Sequence, residues 1–181
     1  SSGSSILVAP STTTNYNLVS VKNTGGCYGT GNQGAPTVTM LSSGTWIGRV
    51  NQEWNNADNW CGGIPDSITD VTITAGNPYN PVITSGTAKV RNLNLGAGTK
   101  LLTNNSTLKL YGTMISSSGL NCENGSIELC GAFSSQTIAG NMLYHKSVKN
   151  LRLSNNNGIT FSGTNDTLKV LGILDFGKSN V

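Results

Sequence analysis

Two stretches of the chain, Ala88–Met114 (AKVRNLNLGAGTKLLTNNSTLKLYGTM) and Ser147–Leu174 (SVKNLRLSNNNGITFSGTNDTLKVLGIL), are copies of one pattern. Val90, Leu93 and Leu95 stand 58 positions before Val148, Leu151 and Leu153, while Leu108, Gly112 and Met114 stand 60 positions before Leu168, Gly172 and Leu174. A repeated unit with one apolar face buries that face against its neighbour, so the repeat points to a solenoid before any propensity is counted.

The spacing of strand-like runs agrees. Runs begin at Val71, Val90, Leu108, Ile127, Val148 and Leu168, in steps of 18 to 21 positions. One turn of a parallel β-helix, about 20 residues with two or three short strands, accounts for that interval, and the offset between the copies is then three turns. An immunoglobulin sandwich would place strands about every 8–12 residues with hairpins between them. The same reading stacks the six run starts on one inner wall.

Inside each copy the apolar parity switches. In Val90-Arg91-Asn92-Leu93-Asn94-Leu95 both Val90 and Leu93 must point inward, which a strict strand cannot do, and Val148–Leu153 repeats the switch. The backbone is therefore expected to bend at Asn92 and Asn150. Asn is the non-glycine residue that best tolerates the left-handed conformation a corner can require.

Composition narrows the function classes. Only 10% of the 181 residues are charged, and the net charge of +3 is scattered singly. That excludes a nucleic-acid footprint. No stretch reaches the length of a membrane span, and no signal peptide or initiating Met opens the chain, so a processed or excised piece of something longer is expected. Cys27, Cys61, Cys122 and Cys130 lack metal-ligand spacing, and His145 is the lone histidine. An oxidising compartment is the preferred reading. Cys122 and Cys130 bracket Asn124-Gly125, read as a turn that could bring them together, with two buried thiols as the alternative. A Cys27–Cys61 bond would tie the N-terminal stretch to the segment carrying the tryptophans.

The eight acids, of which Asp66 and Asp70 lie closest together, form no catalytic pair of the kind that glycan-cleaving β-helices need. Turn capping is the preferred role for those two. His145 is read as a surface residue. No nucleophilic triad order, phosphate loop or calcium loop is present, so neither enzyme activity nor a cofactor or metal is expected.

Two further segments carry a resemblance. Residues 1–41 hold three strand-like runs, Ile6–Val8, Tyr16–Val21 and Thr37–Leu41, with a glycine-rich loop between the last two. They resemble the closing strands of immunoglobulin-like modules in large secreted proteins of Bacteroidetes-type bacteria. Residues 44–65 (GTWIGRVNQEWNNADNWCGGIP) contain Trp46, Trp54 and Trp60, and resemble the opening of β-helical repeat regions in the same surface proteins. The expected organisation is a partial immunoglobulin-like segment over 1–41 and a β-helix over 42–181 with a Trp-rich N-terminal cap. The cap is preferred to an aromatic platform for sugar rings, because it would close the first coil.

The resemblance implies a secreted, extracellular adhesin or fibre-forming protein. The final turn, Leu168–Val181, carries no polar cap and residues 1–41 no partner sheet, so both are expected to be covered by a neighbouring copy, end to end, or by the same chain in a longer parent. A carbohydrate-binding module using the three tryptophans is the alternative. Asp66-Ser67-Ile68 and Asp166-Thr167-Leu168 resemble the O-glycosylation pattern of those secreted proteins, which makes Ser67 and Thr167 candidate attachment points.

Overall fold

The computed structural model describes residues 6–20, 22, 24–29, 34–131, 133–163 and 166–177. The chain divides into two compact units, Ser1–Leu41 and Ser42–Val181.

In the first unit, β1 (Thr14–Asn15) and β2 (Thr37–Val38) pair antiparallel. A single bridge joins Lys22 to Tyr28. Of the three expected strands only the last falls where the alternation put it. Ile6 and Leu7 lie in solvent, the Tyr16–Val19 run is not a strand, and Val21 is outside the described residues. No sandwich is formed among the described residues, and the physical reason is plain: alternation makes a strand only where a second sheet covers the apolar face.

The second unit is a parallel β-solenoid of about five turns, roughly 22 residues each. Its strands are β3 (Val71–Ile73), β4 (Val82–Ile83), β5 (Thr87–Val90), β6 (Leu93–Leu95), β7 (Leu101–Leu110), β8 (Met114–Ile115), β9 (Leu120–Leu129), β10 (Gln136–Ile138), β11 (Leu143–Leu153), β12 (Ile159–Phe161), β13 (Lys169–Val170) and β14 (Leu174–Asp175). One broad sheet runs β4-β7-β9-β11-β13, with β5 also on β7 and β14 also on β11; β3-β6-β8 and β10-β12 form two narrower sheets. Every pairing in this unit's sheets is parallel, as successive turns of a coil require.

The core is a set of inner columns. Ala88, Leu108, Ile127, Leu151 and Leu174 lie over one another, and Val90, Leu110, Leu129 and Leu153 form a second column. The expected single wall of run starts is corrected by this register. Leu108 and Ile127 do stack, but Val71 lies under Leu93, Val90 under Leu110, and Val148 against Cys122 and Val170, while Leu168 only packs at the core's edge. Turn length is not constant, and this is the cause. The step is 19 positions from Leu108 to Ile127 and 24 from Ile127 to Leu151, because the longer turn carries β10 and a 3-10 turn at Gly140–Met142.

The sequence repeat is thus local geometry, not a three-turn period. Val90 and Leu93 pair with Leu110 and Met114, just as Val148 and Leu151 pair with Val170 and Leu174. Asn92 Oδ1 accepts from the Thr113 N–H at 2.7 Å, and Asn150 Oδ1 from the Ile173 N–H at 3.0 Å. A Cβ on Gly112 would fall well inside 3.0 Å of Asn92 Oδ1, and one on Gly172 would lie 2.7 Å from Asn150 Oδ1, so both glycines make room for the asparagine one turn below. Three rungs up from Val90, however, the chain has reached Leu153 and not Val148, so the copies are five residues out of phase.

The parity switch is present in both copies, with Val90, Leu93, Val148 and Leu151 all buried. Its expected mechanism is corrected. Among the described residues the non-glycine ones with positive φ are Asn105, Ser118, His145 and Lys146, and neither Asn92 nor Asn150 is one of them. These two amides act instead as bridges between turns, supplying acceptors to N–H donors that a bent backbone leaves without a ladder partner.

Candidate functional site

Alternation on the broad sheet settles what its outer face presents. With Ala88, Leu108, Ile127 and Leu151 inward, the neighbours Thr87 and Lys89, Thr107 and Lys109, Ser126 and Glu128, and Asn150 and Arg152 point outward. They form two columns side by side.

From Lys109 to Asp175 the charged column is internally paired, while Lys89 lies beside Lys109 and makes no ion pair with another described residue. Lys109 Nζ lies 2.8 Å from Glu128 Oε2, and Arg152 Nε lies 3.8 Å from Glu128 Oε1 and 3.5 Å from Asp175 Oδ2. The hydrogen bond to Glu128 raises the Lys109 ammonium above its ordinary value. Pairs this exposed contribute roughly 0–1 kcal/mol each. Their consequence is for register, since a two-residue slip of β9 along β7 would set Ser126 or Cys130 beside Lys109 and lose the pair.

The uncharged column flanks a trough of about 370 Å³ at a corner of the solenoid. Thr87, Thr107 and Ser126 are paired rung on rung, and Asn104 pairs with Asn124 on the other side of the bend. The corner turns through Asn105, whose φ is 50°. Asn150 continues the column and donates from Nδ2 to Ser126 Oγ at 3.2 Å.

A second polar group lies beside Asn124, at the same bend of β9 and β11. Ser147 Oγ donates to Glu123 Oε1 at 2.9 Å, His145 Nδ1 lies 3.1 Å from the same oxygen, and the Tyr144 ring sits 3.8 Å from the imidazole. These contacts lower the Glu123 carboxyl, the Ser147 bond first. The hydroxyl is directed at the carboxylate and not at the imidazole, so serine and histidine do not form a nucleophile–base pair. Lys146 is held by Asp166 at 2.9 Å.

The residues singled out in the sequence are distributed as follows. Trp46, Trp54 and Trp60 are buried, with 1%, 1% and 4% exposure. Their rings meet edge to face, 4.9 Å apart for Trp46 and Trp60 and 4.6 Å for Trp54 and Trp60. Trp46 Nε1 donates to the Tyr79 carbonyl and Trp60 Nε1 to the Trp54 carbonyl, while the Trp54 indole N–H has no acceptor among the described residues. Packed inside the first turn, the rings offer no open face on which a sugar could stack.

Cys122 and Cys130 are corrected. Asn124-Gly125 is not a hairpin turn but a corner within the continuous strand β9, which separates the two thiols by on the order of 20 Å, against less than about 7 Å between the Cα atoms of a disulfide. Both are thiols. Burial pushes Cys122 up to about 12, and Cys130 is raised as well, again mainly by burial. Cys27 belongs to the first unit and Cys61 to the second.

Asp66 Oδ1 accepts from the Ile68 N–H at 3.0 Å and from Thr69 Oγ1 at 2.7 Å, which is a turn cap. Asp70 instead pairs across turns with Arg91 and Asn92, and the Arg91 contact is the main reason its carboxyl is lowered. Ser67 is half-buried and Thr167 exposed. The sequence held no signal for the trough or for Gln136. The buried Gln136 amide donates to the Leu110 and Gly112 carbonyls at 2.9 and 2.7 Å and accepts from the Gly131 N–H at 2.8 Å.

Among the described residues no helix is long and apolar enough to cross a membrane. No family model, no curated protein and no solved structure matches this chain.

Proposed function

We propose that this chain is a structural or adhesive segment of a secreted bacterial cell-surface or extracellular fibre protein, assembling end to end through its solenoid. The observation that carries this reading is the last described turn. Leu168 and Val170 are only half-buried, and Phe161, Leu171, Ile173, Leu174 and Phe176 are 44% to 66% exposed. Every earlier turn has its inner column covered on both sides. An apolar row of this size favours a further covering layer, supplied by a second copy or by more of the same chain.

The opposite end of the unit is closed by the three tryptophans, which supports contact through the Leu168–Phe176 end. The extracellular setting rests on the resemblance of residues 44–65 and of the Asp66-Ser67-Ile68 and Asp166-Thr167-Leu168 patterns to bacterial surface proteins. No reaction is assigned, since no nucleophile–base pair is assembled among the described residues. Light scattering and negative-stain imaging, with and without residues 1–41, test the assembly. Concentration-dependent end-to-end particles, abolished by Ile173→Lys, are expected, whereas a monodisperse, well-folded monomer in both cases would refute it. For the modification, intact mass of native material should show added hexose at Ser67 or Thr167, and unmodified mass would dispose of that part.

A further inference from the structure

We propose that the trough between the Thr87 column and the asparagine corner binds a glycan, a chain of hydroxylated rings laid along the solenoid axis. Nothing in this requires assembly, since a single copy carries the whole trough.

The first observation is why a trough exists at all. On three successive turns the residue before the outward hydroxyl is Gly86, Ser106 and Gly125. Ser106 turns inward and donates to the Ile83 carbonyl at 2.6 Å. Gly125 can be nothing larger, because a Cβ there would fall within 3.0 Å of Thr103 Oγ1 and of the Thr103 carbonyl. Gly86 has φ of +66°. No side chain therefore fills the floor on these turns. On the fourth turn Lys149 takes that place, before Asn150, and closes the trough.

The second observation is what lines it. The side chains of Thr87, Thr107, Asn105 and Asn124 make no hydrogen bond to another described residue. A hydroxyl offers one donor and two acceptors, an amide two donors and one acceptor. The walls thus present both kinds of group, on rungs repeating about every 4.8 Å along the axis. A ligand that can answer donors and acceptors alternately, without net charge, is a run of sugar hydroxyls.

Other ligand classes fit less well. One lysine and no aromatic ring are too little for a nucleic acid, which needs several phosphate contacts or stacking platforms. An apolar ligand would strand the amides without partners. No acid lines the trough, so Lys149 is free to donate to a sugar carboxylate. Neutral and acidic glycans share the chemistry, and the test separates them.

The experiment is an amide chemical-shift titration of the full chain with four probes: cellohexaose, xylohexaose, chitohexaose and hexagalacturonate. Binding of at least one probe in the millimolar range is expected, with shifts confined to Gly86, Thr107, Asn124, Gly125 and their neighbours. Thr107→Val, isosteric at a half-buried strand position, and Asn124→Ala, at an exposed one, should each weaken binding roughly five- to tenfold, as loss of one hydrogen bond does. Unchanged far-ultraviolet dichroism separates that loss from unfolding. Lys149→Gln should weaken only hexagalacturonate. Absence of trough shifts with all four probes, or wild-type affinity in both Thr107→Val and Asn124→Ala, overturns the proposal. Neither result would touch end-to-end assembly, which uses the Leu168–Phe176 end and is read by scattering.

Discussion

Leu151→Asp tests the inner columns most directly, with its neighbour Arg152→Asp as the control. Leu151 is 1% exposed and lies between Ile127 and Leu174, whereas the Arg152 side chain is 52% exposed on the outer face. Removing the leucine forfeits about 2–3 kcal/mol of apolar burial. Burying a carboxyl without a partner adds about 2 kcal/mol or more, and the group meets that cost by staying protonated. The total is about 4–5 kcal/mol, a large part of the roughly 5–15 kcal/mol a domain commonly has. Arg152→Asp loses exposed ion pairs and an exposed hydrogen bond to Ser154 Oγ, and sets a third acid near Glu128 and Asp175, about 1 kcal/mol in all. The sign with pH is fixed as well. The carboxyl of Asp at 151 has a folded pKa above its unfolded one, so the folded variant is relatively better below about pH 4 and loses stability as pH rises. Urea denaturation followed by circular dichroism at pH 7 and pH 4 reads both effects. Equal midpoints for the two variants, or a larger Leu151→Asp deficit at pH 4, would refute the column assignment.

Trp60→Phe should destabilise more than Trp54→Phe by about 1 kcal/mol or more, because only Trp60 loses an indole hydrogen bond while Trp54 loses a buried N–H that has no acceptor; equal thermal midpoints would contradict this. Alkylation of the native protein at pH 8 should spare Cys122, and non-reduced digests should contain no Cys122–Cys130 peptide, as checked by mass spectrometry. On the acid side, the Asp70, Glu123 and Asp166 carboxyls are lowered in the fold, so their contribution is present above the unfolded values near 3.8 and 4.5 and is lost as pH falls through the folded ones. On the alkaline side Cys122 is raised, so its contribution is complete below about 9 and lost between there and about 12. A pH series of thermal midpoints should fall at both ends, and Cys122→Val should remove part of the alkaline loss.

How much of this was legible depends on whether a feature is local. A parity switch is local: Val90 and Leu93 are both apolar, three residues apart, and one strand cannot bury both without bending, so the corner could be read directly. The burial of three large rings in the first turn followed from the same reasoning, since an end turn needs covering and little else near residue 50 could do it. The solenoid itself was legible because stacking repeats the same demand every turn, and the demand leaves apolar runs at a near-constant interval.

Register was not legible, because it depends on how many residues each turn spends outside its strands. The turn from Ile127 to Leu151 spends five more than the one before it, on β10 and the 3-10 turn, and nothing local announces that these stay on the same coil. For the same reason Asn124-Gly125 reads as a hairpin in isolation, yet a parallel neighbour on either side holds it as a corner of one strand. The trough belongs wholly to tertiary structure. Gly86, Ser106 and Gly125 are ordinary small residues 20 and 19 positions apart, and they become a floor only because coiling places them on consecutive rungs. Sequence alone determined that this chain must stack, since each turn carries an apolar face it cannot bury by itself. Which side chains meet on the outside was decided by the coil, because distance along the chain and distance along the axis are related only through the length of each turn.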